Sequence, residues 1–218
     1  EQASTYSLVG ADEICFLDIG ASIEKRKTMI KIVSKTAEKV FIPLTVGGGI
    51  SSLEDIRNLL KAGADKISIN TAAIFNERLI KNSSDKFGSQ CIVAAVDAKR
   101  HNNDWLVYSH GGTKNTKINA LLWMEKLEKL GAGEILLTSM DRDGTKNGFD
   151  LALLKKATDS LKIPVIASGG VGSLNHFKEG VSIGGASALL AASVFHFNEI
   201  SIKEVKIFLS KEGIKVRL

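Results

Sequence analysis

The sequence predicts an α/β fold, and within that class a (β/α)₈ TIM barrel built from two half-barrel repeats. Three observations predict it: short β-branched runs alternate with amphipathic segments, one strand pattern recurs along the chain, and glycine or aspartate follows most of the runs. The 218 residues fall within the range of roughly 200 to 400 that such barrels span. We therefore expect one domain over residues 1–218, around a single hydrophobic core.

Seven apolar runs have the length and the β-branched content of buried parallel strands. They cover residues 14–17, 42–46, 66–69, 91–96, 135–137, 165–167 and 188–191. Between them, apolar residues recur at helical spacing, which predicts helices over residues 23–40, 53–62, 119–130, 151–160, 175–183 and 202–209. Ser51 or Ser52 is a candidate N-cap. Alternation on this scale is typical of parallel α/β folds.

The two halves of the chain repeat each other. Residues 42–49 recur as residues 163–170, and residues 10–14 recur as residues 131–135. Both pairs are offset by 121 residues (163 − 42 and 131 − 10). At this offset the counterpart of strand 91–97 would precede residue 1. We therefore expect the first β-strand of the barrel to be absent from this sequence, an N-terminal truncation, and residues 2–9 to be the end of the helix that follows that strand.

Small residues after the strands predict two phosphate-binding sites. Active sites of these barrels lie at the carboxyl ends of the strands, and glycine lets backbone N–H groups approach a phosphate closely. The alternative for each glycine-rich loop is a tight turn without a ligand, but the duplication favours a substrate with a phosphate at each end. In each half a glycine-rich loop is followed one strand later by a small pair: Gly48 and Gly49 by Asn70 and Thr71, and Ser168, Gly169 and Gly170 by Ala192 and Ser193.

Asp97 is the candidate proton-transfer group, because it ends the apolar run 91–96 and should face the barrel mouth. Partial burial at the mouth would tune its pKa for proton transfer. The alternative is a structural role, as a helix cap or as an ion-pair partner of Lys99 or Arg100. Asp18 and Asp143 occupy comparable positions after other strands.

Three charged residues stand at the opposite, N-terminal starts of the strands: Glu13, Lys66 and Glu134. Glu13 and Glu134 are repeat equivalents, 121 residues apart (134 − 13), so their side chains should point the same way. Charges that converge at a closed barrel end are costly unless they pair or stay hydrated. Ordinary ion pairing at the barrel bottom would account for them, and contact with a partner is the alternative.

Composition narrows the class of function. The net charge is +5, but the lysines are scattered at helical spacing without interleaved aromatic residues, so we expect no nucleic acid partner. No apolar run reaches the roughly 18 to 20 residues of a membrane helix, and no signal peptide is visible, so we expect a cytoplasmic protein. Cys15 and Cys91 should be buried, reduced thiols. The aspartates lack histidine at ligand spacing and the four histidines lack a clear nucleophile partner, which predicts neither a metal site nor a catalytic triad.

Several segments resemble the cyclase subunit of imidazole glycerol phosphate synthase, a family of histidine biosynthesis. They are residues 46–50, 63–66, 68–73, 87–90, 96–100, 133–145, 167–170 and 191–197. The most specific are the loop Asp141-Arg142-Asp143-Gly144-Thr145 and residues 192–197. The resemblance extends over essentially the whole chain.

The resemblance implies a lyase that uses ammonia from a glutaminase partner, with no metal or organic cofactor. The substrate is a bisphosphorylated formimino carboxamide ribonucleotide. The products are imidazole glycerol phosphate and an aminoimidazole carboxamide ribotide. By resemblance, Asp97 is one catalytic acid-base. The implied phosphate ligands are Gly49, Asn70 and Thr71 at one end of the substrate, and Asp143, Gly144, Gly170 and Ser193 at the other.

The resemblance also gives the charges at the strand starts a role. Glu13, Lys66 and Glu134 match a charged ring at the entrance of an ammonia channel, and Asp65 is the residue expected to contact the glutaminase. The family's second catalytic aspartate and a lysine-bearing phosphate loop lie on the first strand and the loop after it, which this sequence lacks. Gly20 stands where the family usually has threonine.

Two other functions stay open. The isomerase one step earlier in the same pathway shares the barrel, both phosphate sites and a catalytic pair of aspartates. The Asp-Arg-Asp-Gly-Thr loop and Lys66 favour the cyclase over it. A non-catalytic protein that only binds phosphosugars or a partner protein is the third alternative, and turnover with ammonium salts separates it from the enzymes.

Overall fold

A parallel sheet flanked by helices forms the fold in a computed structural model that describes residues 2–18 and 30–218. Seven of the described strands are parallel, and the fifth and sixth form an antiparallel hairpin that extends from the fourth. In chain order the strands are β1 (Ile14–Leu17), β2 (Leu44–Gly47), β3 (Lys66–Ile69), β4 (Ile92–His101), β5 (Asp104–Ser109), β6 (Lys114–Asn119), β7 (Glu134–Ser139), β8 (Val165–Ser168) and β9 (Ala188–Leu190).

Helices connect consecutive parallel strands, as the alternation of patterns predicts. Ser52 caps α3 in a capping box, because its hydroxyl accepts the Asp55 N–H while the Asp55 carboxylate accepts the Ser52 N–H. Within the described residues the helices are α1 (Gln2–Leu8), α2 (Ile30–Ala37), α3 (Leu53–Lys61), α4 (Thr71–Phe75), α5 (Arg78–Phe87), α6 (Ala120–Lys129), α7 (Leu151–Ser160), α8 (Leu174–Ser182), α9 (Ser193–His196) and α10 (Ile202–Lys211). None of them is long and apolar enough to cross a membrane.

The parallel strands follow the order β1-β2-β3-β4-β7-β8-β9 and curl into part of a barrel. A flat sheet would hold β1 and β7 about 19 Å apart, since neighbouring strands lie about 4.8 Å apart. Yet carboxylates next to those two strands, from Glu13 and Glu134, lie 2.9 and 2.7 Å from the Lys66 Nζ at the start of β3. Among the described residues, β1 and β9 each pair with one neighbouring strand, so the sheet is open between them.

The far end of the chain returns to β1. Lys206 of α10 and Arg217 bind the carboxylate of Asp12 at 2.8 and 2.9 Å, and the Arg217 guanidinium also donates to the Ala11 carbonyl at 2.9 Å. These contacts hold the last helix against the residues just before β1. The seven parallel strands form a curled, open sheet, and their carboxyl ends lie at one end of it, which we call the mouth.

The seven predicted strands are confirmed, and so are the predicted helices within the described residues. Residues 19–29, which include Gly20 and the first part of the predicted helix 23–40, lie outside the described residues. The sequence patterns did not predict α4, α5, α9 and β6, and they indicated only a polar hairpin over residues 99–112, the region that contains β5. Cys15 and Cys91 are free thiols, as predicted, but each is only half-buried as a whole residue.

The strand register decides which side chains face the barrel interior. Side chains alternate along a strand, and paired residues of parallel strands point to the same face. Lys66 and Ser68 of β3 share a face, and Ser68 pairs with Val93 of β4. Asp97, four residues after Val93, therefore faces the same interior as Lys66, but near the carboxyl ends of the strands.

Candidate active site

Asp97 is held by a side chain from the neighbouring strand. Asn70, the residue after β3, donates a hydrogen bond from Nδ2 to Asp97 Oδ2 over 3.0 Å. Burial raises the pKa of Asp97 to about 6, while the hydrogen bond from Asn70 opposes this rise and the negative charge of Asp143 adds to it. A carboxyl group with this pKa can both give and take a proton near neutral pH.

The position of Asp97 corrects one detail of the sequence prediction. Asp97 does not end its strand, because β4 continues to His101 and pairs there with β5, Asp97 opposite Tyr108. The basic side chains that could have paired with Asp97 lie elsewhere: the Arg100 guanidinium is 5.2 Å from the centre of the Trp105 ring, and the Lys99 ammonium is 5.9 Å from the centre of the Tyr108 ring. The bond to Asn70 takes the place of the ion pair that the sequence left open.

The glycine loop after β2 is packed tightly against β1. Gly48 has a φ of +109°, and a Cβ at this position would overlap the backbone carbonyl of Asp18. Asp18 in turn donates its backbone N–H to the Gly47 carbonyl at 3.0 Å. Gly47 also pairs with Ser68 in register, so Gly49 and Asn70 follow adjacent strand ends. Asp18, Gly48 and Gly49 thus lie at the same edge of the mouth as Asn70.

The loop after β8 is packed against the loop after β7. A Cβ on Gly169 would lie 2.8 Å from the Ser139 carbonyl oxygen and 3.4 Å from Asp143 Cα. A Cβ on Gly170 would overlap the carbonyl of Gly148, whose own N–H donates to the Gly170 carbonyl at 2.7 Å. These contacts bring Asp143 beside Gly169, and the charge of Asp143 acts on Asp97, so the two halves of the predicted site meet at the mouth.

The remaining members of the second predicted phosphate site are less crowded. Gly144 has a φ of +74°, and a Cβ there would meet nothing within 4 Å. Ser168 pairs with Leu190 of β9, and Ala192 and Ser193 follow at the start of α9. These residues share the same rim of the mouth as Gly169 and Gly170.

The three charges at the strand starts converge, as their spacing predicts. The Lys66 ammonium lies between Glu13 and Glu134, and one carboxylate oxygen of Glu134 is buried without a hydrogen-bond partner among the described residues. Burial by itself would lower the pKa of Lys66, but the hydrogen bonds to the two glutamates outweigh it and raise that pKa. Asp65 is exposed, and its Oδ2 accepts the Leu44 backbone N–H at 2.8 Å.

The β5–β6 hairpin brings residues to the mouth that the sequence patterns did not select. The backbone N–H of His110, at the hairpin tip, donates to Thr71 Oγ1 at 2.9 Å. The His110 ring contacts Ser109 Oγ through Nδ1 at 2.9 Å and lies edge-on to Phe75 with centroids 5.9 Å apart. A Cβ on Gly112 would overlap the Met140 side chain after β7. The tip therefore touches both halves of the barrel.

The described residues contain no group of three or more histidine, cysteine, aspartate or glutamate side chains arranged to hold a metal ion.

A family model described as "Histidine biosynthesis protein" matches residues 1–201 of the chain. The matched range includes all seven parallel strands and every predicted site residue.

Proposed function

We propose, from the premise that the chain belongs to the histidine biosynthesis protein family, that it is the ammonia-using cyclase subunit of imidazole glycerol phosphate synthase. In this reaction a bisphosphorylated formimino carboxamide ribonucleotide and ammonia give imidazole glycerol phosphate, an aminoimidazole carboxamide ribotide and water. The observation that carries the proposal is Asp97, a buried carboxyl group at the mouth with its pKa raised to about 6. It lies between two glycine-rich strand ends, as a substrate with two phosphates requires.

Asp97 is the proposed acid-base. Closing an imidazole ring onto a carbonyl carbon requires proton removal from nitrogen and proton delivery to the departing oxygen. Asn70 keeps the Asp97 carboxylate oriented through Nδ2. A second acid-base group is needed on the other side of the forming ring. In the family that the sequence resembles, it is an aspartate on the strand preceding β1, which would occupy the opening between β1 and β9.

The two ends of the substrate are proposed to bind at the two glycine loops. One phosphate binds near Gly49, Asn70 and Thr71, and the other binds near the residues around Gly170. Backbone N–H groups of glycine can approach phosphate oxygens closely, and the start of a following helix adds a favourable dipole. The second site comprises Asp143, Gly144, Gly170 and Ser193.

Ammonia is proposed to enter from a glutaminase bound at the opposite end of the barrel. Glu13, Lys66 and Glu134 form an ion-paired cluster at that end, and the strand register puts Lys66 and Asp97 on the same interior face. Asp65, exposed beside Lys66, is the proposed contact with the glutaminase. The test measures turnover with glutamine and with ammonium salts: Asp65→Ala should lower only the glutamine-driven rate. If Asp65→Ala and Lys66→Ala both leave the two rates unchanged, the glutaminase does not bind at this end.

The central experiment assays the full barrel, including its first strand, with the bisphosphorylated substrate and ammonium salts. Asp97→Asn should lower turnover by roughly 10² to 10⁴-fold, the usual contribution of a general acid-base, while the substrate still binds. Asp159→Asn, on the exposed side of α7 and paired with Lys155, is the matched control. A variant at Asp97 within a few-fold of the parent would remove this residue from the mechanism.

The same assay separates the alternatives. An isomerase would convert its own phosphorylated substrate without ammonia and would ignore the concentration of ammonium. A protein that only binds phosphosugars would bind the substrate and turn over neither compound. The isomerase function remains an alternative because membership of the family is compatible with both enzymes. The Asp141–Thr145 loop and Lys66 favour the cyclase.

A further inference from the structure

We propose that His110 is a specificity-determining residue of the substrate site, which binds the phosphate beside Thr71 through its Nε2 atom. The proposal deepens the proposed function and rests on it, because that function places a phosphate at Thr71. It concerns the β5–β6 hairpin, which the assignment of the two phosphate loops leaves without a role.

The tip of the hairpin is held in a strained conformation that brings His110 to the mouth. His110 has a φ of +54°, which a residue with a side chain adopts rarely and at a cost. Hydrogen bonds across the tip maintain it: Thr113 donates its backbone N–H to the Ser109 carbonyl at 3.1 Å and its hydroxyl to the His110 carbonyl at 2.8 Å.

The backbone of His110 sets the direction of the Thr71 hydroxyl. Thr71 Oγ1 accepts the His110 N–H at 2.9 Å, so this oxygen already acts as an acceptor and its own proton is free to be donated. A hydroxyl donor suits a phosphate oxygen, which can only accept. The hairpin therefore prepares Thr71 for an anion. The His110 ring also contacts Phe75, which lies on the same helix as Thr71, so the side chain is held near this end of α4.

The surroundings of the His110 ring leave Nε2 available. Nδ1 is engaged with Ser109 Oγ at 2.9 Å, and Phe75 covers one edge of the ring. Within residues 2–18 and 30–218, Nε2 has no hydrogen-bond partner. Ser109 is buried, and its hydroxyl can donate either to Nδ1 at 2.9 Å or to the Lys114 carbonyl at 3.5 Å. When it donates to Nδ1, and also when the ring is cationic, Nε2 carries the N–H that a phosphate needs.

The test compares two substitutions that keep different parts of the imidazole. His110→Asn places an amide near the position of Nδ1 and tolerates positive φ, so the contact with Ser109 is kept and only Nε2 is lost. His110→Gln reaches the position of Nε2 instead. His101→Asn, an exposed histidine at the base of the same hairpin, is the matched control. Binding of ribose 5-phosphate and of inorganic phosphate is measured by calorimetry, and the thermal unfolding midpoint is recorded for each variant.

We expect His110→Asn to weaken binding of ribose 5-phosphate about tenfold, the loss typical of a hydrogen bond to a charged group, with an unchanged unfolding midpoint. His110→Gln should retain more affinity than His110→Asn, and His101→Asn should bind like the parent. In the turnover assay, KM for the phosphorylated substrate should rise with kcat within about threefold, as expected for binding that is uniform through the reaction. A purely structural role predicts the reverse order, with His110→Asn binding normally, and would overturn the proposal.

The outcomes for His110 and for the proposed function are distinguishable. If His110→Asn weakens phosphate binding but no form of the barrel turns over with ammonia, the cyclase function fails and His110 remains a phosphate ligand. If turnover is normal and neither KM nor phosphate affinity changes in His110→Asn, the inference about His110 fails and the cyclase function stands. A parent protein that binds neither phosphate compound would overturn the inference about His110, whereas the cyclase function is judged by turnover alone.

Discussion

Asn70 donates a hydrogen bond to Asp97 across two neighbouring strands, at 3.0 Å, and this bond acts against the effect of burial on the carboxyl group. Burial favours the neutral form of Asp97, whereas the amide of Asn70 favours the charged form. The balance leaves the pKa at about 6. The pair therefore keeps a buried carboxyl group able to ionise under conditions in which an enzyme works.

The raised pKa of Asp97 predicts a specific dependence of stability on pH. Because the folded-state pKa of about 6 exceeds the ordinary value of 3.8, the folded chain binds more protons between these values than the unfolded chain. The contribution of Asp97 is fully present below pH 3.8 and is lost as pH rises to about 6. At about 1.4 kcal/mol per pKa unit, the loss is on the order of 3 kcal/mol.

Asp97→Asn should remove that dependence, because asparagine is neutral at every pH and can still accept the hydrogen bond from Asn70. We expect the variant to be more stable than the parent at pH 7.5, by up to about 3 kcal/mol, and of nearly equal stability at pH 4. Urea unfolding at the two pH values measures the difference. Equal slopes of stability against pH in parent and variant would show that Asp97 is not the titrating group.

Asn70→Ala should move the titration of Asp97 to higher pH. The hydrogen bond from Asn70 lowers the pKa of Asp97, so its loss leaves burial and the charge of Asp143 unopposed. The ionised fraction at neutral pH then falls, and the acidic limb of kcat/KM should shift to higher pH. Carbon NMR of the Asp97 carboxyl group follows the same titration without substrate. A shift to lower pH would mean that solvent entering the space left by the amide outweighs the lost bond, contrary to the assignment.

The sequence predicts the strands well because each lies buried between the barrel interior and the helices, so its apolar run is nearly continuous. It does not predict the Asn70–Asp97 bond, since this depends on the register of β3 against β4. The hairpin strand β5 carried a weaker signal: Trp105, Val107 and Ser109 are buried in strict alternation, typical of a strand with one buried face. The residues between them, Leu106 and Tyr108, are themselves hydrophobic, so the sequence shows one continuous run and the alternation in burial is hidden.

Gly48→Ala should damage the first proposed phosphate loop through a steric conflict as well as through backbone strain. A Cβ at Gly48 would overlap the Asp18 carbonyl, whereas a Cβ at Gly213, which also has positive φ (+79°), would meet nothing within 4 Å. Gly213→Ala should therefore cost about 1 kcal/mol, and Gly48→Ala should cost more and weaken phosphate binding. Urea unfolding and phosphate calorimetry measure the two effects. Equal losses in the free energy of unfolding for Gly48→Ala and Gly213→Ala would show that the loop after β2 shifts and accommodates the added Cβ.

Lys66→Met should destabilise the barrel by leaving Glu134 without a cation. Removing one partner of a fully buried ion pair costs about 3 to 5 kcal/mol, and we expect about 2 to 3 kcal/mol here because the Glu13 side chain is 45% exposed. Glu134→Leu, added to Lys66→Met, should restore part of the loss, since the buried charge is then gone. Lys155→Met breaks an exposed pair with Asp159 and should cost less than about 0.5 kcal/mol.

A double variant at Lys66 and Glu134 that is no more stable than Lys66→Met would contradict this account.

The stabilising contribution of Lys66 depends on pH, so the pH of the unfolding measurement has to be chosen. Because the pKa of Lys66 is raised above its ordinary 10.5, its stabilising contribution is fully present below pH 10.5 and is lost as pH rises through the folded-state pKa. Unfolding at pH 7 therefore reports the whole contribution of the cluster.

Trp105 anchors the β5–β6 hairpin, and loosening it should affect both stability and phosphate affinity. The buried indole donates from Nε1 to Asp150 Oδ2 at 2.8 Å, and its ring lies 5.2 Å from the cationic groups of Arg100 and Lys156. Trp105→Phe removes the donor and leaves a carboxylate oxygen of Asp150 unpaired. We expect a loss of about 1 to 3 kcal/mol in the free energy of unfolding, typical of a hydrogen bond to a charged group.

The same substitution should weaken binding of ribose 5-phosphate by a few-fold, because the hairpin that Trp105 anchors also carries His110 to Thr71. Trp123→Phe is the matched control: Trp123 is buried on α6, which follows the hairpin in the chain and is not part of it. It should lower stability through packing without changing phosphate affinity. If Trp105→Phe destabilises the chain but leaves affinity unchanged, the position of the tip does not depend on this anchor, and the Thr71 contact alone must hold it.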